Sequence, residues 1–213
     1  MGNRNLFVGL AVVAVVLAVV SLGFVYFSVN SLLVKISGFA TSVGEANVTV
    51  ETIAAINFTT AHISWGSGRV NTGSSSAGLN TLELDNVTNG NWTLANRGGL
   101  KIENIGNINV SLNLSVTKTA AQMIGGTSPS YKWNVSRFEA LSCLNNTGGT
   151  DLTNGHALFN WYSPNTTTTE FCRYFQPVDA ADALRIDFNL TIPADSLTGA
   201  LGDTITATAF ASP

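Results

Sequence analysis

Between Leu6 and Val29 the chain is an almost uninterrupted apolar run, and that run limits where the chain can be stable. As a helix rising about 1.5 Å per residue it reaches roughly 36 Å, enough to cross a hydrocarbon core about 30 Å thick with modest tilt. Ser21 and Ser28 are its only hydroxyl-bearing aliphatic side chains, and a helix satisfies such groups against its own backbone. Tyr26 and Phe27 stand near the far end, where aromatic rings favour an interface. Arg4 and the α-amino group lie on the short side, which orients the N-terminus inward, although Lys35 flanks the other end. A cleaved secretory signal has an h-region of about 7–15 residues with the cut directly behind it. Gly38-Phe39-Ala40 would make a passable small-x-small site, but the length of the run predicts retention.

Val29, Leu32, Leu33, Ile36 and Val43 keep helical spacing past the run, with Asn30, Ser31, Lys35 and Ser37 between them. The pattern predicts a long helix that loosens or ends near Gly38 and Gly44. It divides the chain into an N-terminal hydrophobic helix, residues 1–44, and an outer β-domain, residues 45–213. An apolar stripe that leaves a membrane must be covered, by the β-domain or by the same stripe on other copies. Gly9, Ala11, Ala14, Ala18 and Gly23 reduce bulk within the run and allow close helix approach. With Leu32, Leu33 and Ile36 they are the candidate self-assembly residues.

The region after the helix is long enough for one sandwich core and short for two domains. Only 11% of residues are charged and the net charge is −3. That balance, without a basic patch, excludes the electrostatic case for a nucleic-acid partner. Ser, Thr, Asn and Gly supply the polarity instead.

Three segments alternate strictly. Ile108, Val110, Leu112, Leu114 and Val116 interleave with Asn109, Ser111, Asn113 and Ser115. Leu184, Ile186, Phe188, Leu190 and Ile192 interleave with Arg185, Asp187, Asn189 and Thr191. Ile205, Ala207 and Ala209 interleave with Thr204, Thr206 and Thr208. Each predicts a half-buried strand. Weaker patterns predict strands at Asn47–Glu51, Ile53–Phe58, Ala61–Trp65, Thr81–Val87, Leu100–Ile105, Tyr131–Val135 and Ala157–Tyr162. Gly, Asn and Ser clusters separate them at the spacing of an antiparallel, immunoglobulin-like sandwich. Thr119–Ile124 and Asp195–Leu201 read as short helical connections, the second capped by Asp195.

Cys143 and Cys172 both fall in the outer domain. In an extracellular chain an even pair reads as one disulfide, here closing a loop rich in Gly, Asn and Thr. On the chain-entropy model it stabilises the fold by roughly 3–4 kcal/mol. Asn-x-Ser/Thr sequons begin at Asn47, Asn57, Asn86, Asn91, Asn109, Asn113, Asn134, Asn145, Asn165 and Asn189. They exceed what chance placement supplies and predict surface N-linked glycans. Asn109, Asn113 and Asn189 occupy the polar phase of their strands.

A short polar start, a long hydrophobic helix and a sequon-rich β-domain together resemble archaeal type IV pilins and related archaeal surface filament proteins. The phrase Leu100-Lys101-Ile102-Glu103-Asn104-Ile105-Gly106-Asn107-Ile108-Asn109-Val110 is similar to the strand–turn–strand of immunoglobulin-like secreted archaeal and TasA-like fibre proteins. Pilin precursors usually carry a Lys/Arg-Gly or similar processing site just before the helix; Gly2-Asn3-Arg4-Asn5-Leu6 does not supply a clear one. The resemblance implies a subunit held in the membrane before assembly, then packed against copies of itself in a filament at the cell surface.

Catalytic chemistry finds little material. His62 and His156 are the only histidines, and neither sits in a metal-ligand or nucleophile motif. Asp179, Asp182 and Asp187 lack the spacing of a calcium loop. Trp65, Trp92, Trp133 and Trp161 fall in separate segments, which argues for core and edge packing over a sugar platform. No enzyme, metal or cofactor is expected. The leading expectation is a structural, pilin-like subunit. The alternatives are a single-span anchored domain that binds another surface component, and a donor-strand-exchange fibre subunit.

Overall fold

The computed structural model describes residues 3–36, 48–82, 86–93, 98–144 and 155–212. The chain separates into two compact units, Met1–Thr49 and Val50–Pro213. Among the described residues the first holds one helix, α1, Asn3–Ile36. The second is almost entirely β, so the protein is mainly β with one N-terminal apolar helix.

Among the described residues ten strands form two antiparallel sheets in a sandwich-like arrangement: β1 Ile56–Thr60, β2 Ser76–Asn80, β3 Asn86–Thr88, β4 Leu100–Asn104, β5 Val110–Val116, β6 Ser130–Arg137, β7 Cys143–Leu144, β8 Thr169–Phe175, β9 Ala183–Pro193 and β10 Ile205–Ala211. One sheet runs β10-β5-β8-β7. In the other, β9 pairs along one side with β6 and along the other with β4 and then β2, which carry β1 and β3 outside them. Alternation produces the core. In β5 every residue from Val110 to Val116 alternates buried and half-buried, and Leu184, Ile186, Phe188, Leu190 and Ile192 of β9 are all buried. The two sheets meet through these rows and through Trp133 of β6, whose ring stands edge-on to Phe171 of β8 at 5.2 Å. Asn104 ties them further: its Nδ2 donates to the carbonyls of Ile108 and Phe175.

The long second strand partner of β9 is forked, and the fork is held by polar groups. At the level of Phe188 the chain leaves β2 at Thr81, whose N–H donates to the Phe188 carbonyl. The Thr81 hydroxyl accepts from the Phe188 N–H at 2.8 Å and donates to Asp187 Oδ1 at 3.0 Å. The chain re-enters at Gly99, where a Cβ would stand 2.4 Å from the Ile186 carbonyl oxygen and 2.8 Å from Asp187 Oδ1. Only glycine fits so close an approach.

Several expected elements take another form. The first strand is Ile56–Thr60, shifted from Ile53–Phe58, and Val48–Glu51 and Ala61–Trp65 are irregular. The strand expected at Thr81–Val87 is reduced to Asn86–Thr88, with residues 83–85 outside the described set. Ala157–Tyr162 is a turn touching β6 through Tyr162 and Phe159, whose N–H groups donate to Trp133 and Val135 carbonyls. Strands β2, β7 and β8 form where the sequence pattern predicts no strand. The helix at Thr119–Ile124 forms as α2, Ala120–Met123, with a capping box between Thr119 and Gln122. The one expected at Asp195–Leu201 does not, because the Asp195 carboxylate accepts from the Thr127 N–H and hydroxyl instead of capping its own segment.

Candidate functional site

The functional candidates lie on α1 and on the outer surface of the β-unit. From Val8 to Tyr26, α1 has a mean hydropathy of 2.9, and none of this span is buried within the chain. Valine, leucine and phenylalanine side chains point out on every side, so the helix has no polar face to turn to water. By length and composition it can cross a membrane, as an anchor or as a signal sequence. The Ser21 hydroxyl donates to the Ala18 carbonyl at 2.9 Å, which satisfies this mid-helix polar group within the helix itself, and the Tyr26 hydroxyl stands at the span's far end.

At about 100° per residue, Ala11, Ala14 and Ala18 fall within roughly 60° of one another around the helix. Gly9 and Gly23 fall on the opposite side, about 40° apart. A Cβ added at either glycine meets nothing within 4 Å. The small residues thus make two shallow faces rather than one. Leu32, Leu33 and Ile36 lie on the last turns of α1; their side chains lie outside the described residues.

The sequons divide by exposure. Asn57, Asn91 and Asn165 are exposed. Asn91 Oδ1 accepts from the Arg69 N–H at 2.7 Å. Asn109, Asn113 and Asn189 are half-buried on the outer phase of their sheets, and Asn113 Nδ2 donates to the Ser111 hydroxyl. Asn134 corrects the expectation for its position: it is only 5% exposed, opposite an Asp187 that is 0% exposed. Its strand phase matches Lys132 and Ser136, but the outer face is closed at the fork, so alternation alone misplaces it. The side chain of Asn86 lies outside the described residues, as do Asn47 and Asn145.

Cys143 and Cys172 are bonded, with Cα atoms 5.8 Å apart, and join β7 to β8 with both residues fully buried. The charged groups serve the fold. Asp187 divides its oxygens between the Thr81 hydroxyl and Arg185 Nε, at 3.0 and 2.7 Å. It is therefore not free to join Asp179 and Asp182 around a cation, and among the described residues no group of three His, Cys, Asp or Glu could hold a metal. Asp182 is pushed up to about 6 by burial and by the negative charges of Glu139, Glu103 and Asp179. Glu139 also accepts from the Asp182 N–H. His62 is exposed. His156 stacks on Tyr162 at 3.8 Å and stands edge-on to Phe171, and burial lowers its pKa. Trp133 is in the core, while Trp65 and Trp92 pack against it half-buried.

Sequence reasoning missed the buried Asp187 and the carboxylates around Asp182. The first could be suspected only from Thr81 and Gly99, whose approach to β9 is tertiary. No family model, curated protein or solved structure matches the chain.

Proposed function

We propose that this chain is a structural surface protein whose copies associate through α1, displaying the β-unit outside the cell. The observation that carries this reading is the unburied Val8–Tyr26 span. Its apolar side chains are unburied, and water makes such exposure costly. A bilayer supplies one apolar surrounding, and a bundle of identical helices supplies an equivalent one after a subunit leaves the bilayer. Small residues on two opposite sides of α1 suit a helix with neighbours on both sides, as in a pilin-like filament core. Exposed sequons at Asn57, Asn91 and Asn165 suit a glycan-covered outer layer.

Ala14 lies mid-span on the three-alanine face, where a carboxylate costs about 2.5–3.5 kcal/mol on the insertion scale. In a bundle every copy repeats that cost. Ala14→Asp is expected to abolish assembly of the full chain while the β-unit keeps its protease resistance. Filaments at parental yield would refute the role given to α1.

A second reading, a single-span anchor that displays a recognition domain, is favoured by one observation. Phe138, Leu141, Phe159 and Val178 are all exposed, and Leu141 and Phe159 hold left-handed backbone, φ 64° and 65°, a conformation costly for such residues. That reading predicts a monomer in detergent and in the membrane.

A further inference from the structure

β10 closes one edge of the four-stranded sheet, and β5 is its only strand partner among the described residues. Ile205 to Ala211 pair with Val116 to Val110 without a break. Other edges are interrupted or covered. β1 changes register between Phe58 and Thr60, β3 has three residues and β7 has two. The outer side of β6 is met by Tyr162, which exchanges both backbone hydrogen bonds with Trp133. β10 is seven residues long and contains no charge, proline or glycine. It therefore lacks the devices by which natural edges resist strand addition. Its outward backbone N–H and C=O groups are of the kind another strand satisfies.

We propose that β10 pairs antiparallel with β10 of a second copy, centred on Thr208, so that two four-stranded sheets join into one. The strand's own sequence selects a second copy as the occupant. Centred on Thr208, Ile205 faces Ala211, Ala207 faces Ala209, Thr206 faces Phe210 and Thr208 faces its counterpart. This register keeps the period-two faces in phase. The inner row of Ile205, Ala207 and Ala209 continues across the junction. On the outer row Phe210, 58% exposed, gains cover from Thr206, a favourable aromatic–β-branched pair. A strand without charge brings no like charges together at the two-fold axis. The contact is isologous, the same patch on both copies, and it stands independently of the role proposed for α1.

The test is register-specific disulfide trapping in the full chain, in detergent micelles, with the Cys143–Cys172 bond intact. Directly opposed Cα atoms in an antiparallel pair lie about 4.5 or 5.5 Å apart, within the reach of a disulfide. Under mild oxidation Thr208→Cys is expected to convert to covalent dimer, while Ser115→Cys, on the same face but one strand inward, stays at background. Thr206→Cys mixed with Phe210→Cys is expected to give the heterodimer, and neither alone to dimerise comparably. Collisions driven by α1 would not select these positions. Thr208→Cys at the Ser115→Cys level, with no heterodimer from the mixed pair, would overturn the proposal. So would equal trapping at every position, or a β10 edge that captures only an unrelated peptide.

Discussion

Asp187 and Asp182 stand five residues apart on or beside the same strand, yet their surroundings set them opposite tasks. Asp187 is enclosed and spends its oxygens on Thr81 and Arg185, closing the fork where β2 leaves and β4 arrives. Asp182 faces Glu139, Glu103 and Asp179, and its pKa of about 6 stands above the ordinary 3.8. The folded form therefore binds the Asp182 proton more tightly than the unfolded chain does. This group favours folding as pH falls through about 6, and its penalty is fully present above that value. Asp182→Asn removes the penalty, so the variant is expected to be more stable than the parent at about pH 7.5, by on the order of 1 kcal/mol after solvent screening. The difference should shrink between about pH 6 and pH 4. Denaturant melts of both chains across that range check it; a variant less stable at the higher pH would contradict the assignment. Little of this was legible in the sequence. The composition of a carboxylate cluster is visible in a string, but which carboxylates meet depends on the turn that brings Glu139 against Asp182.

At the scale of the element, legibility follows the strength of the local period. β5 and β9 could be read to within a residue or two because a slip by one would expose five aliphatic side chains and bury their polar neighbours. The capping box fixed α2 in the same way, by a purely local exchange between Thr119 and Gln122. β8, with Phe171, Cys172 and Phe175, breaks the two-residue period at its register shifts against β5, so its strand character is set by partners. Asp195 looked like a cap because caps are local, and Thr127, 68 residues away, claimed it. The fully buried Leu112 of β5 gives the element a direct test. Leu112→Asp removes about 1.5–3 kcal/mol of burial and adds an unpaired interior charge costing several kcal/mol more. Together these approach the whole stability of an ordinary domain. The variant is expected to leave the β-unit unfolded by circular dichroism, whereas Asn113→Gln, one residue on and half-buried, should stay within about 0.5 kcal/mol of the parent. Equal effects would mean that the register of β5 has been misassigned.

At the scale of the whole molecule, the chain joins two units with opposite solvent requirements. Val50–Pro213 covers its own core and is stapled by one disulfide. None of the Val8–Tyr26 span of α1 is buried, and in the function proposed above its cover is a bilayer or other copies of the chain. The sequence made that demand plain, because an apolar run needs no tertiary information to be recognised. It left the number of neighbours open, and the placement of Ala11, Ala14 and Ala18 opposite Gly9 and Gly23 is what favours more than one. The measurement that bears most directly on this account is the state of the full chain in material sheared from the cell surface into detergent-free buffer. The account predicts that the chain sediments as high-mass fibres, with residues 8–26 shielded from hydrogen exchange and from labelling by apolar probes. Recovery of the chain solely in the membrane fraction, released by detergent as a monomer, would contradict it.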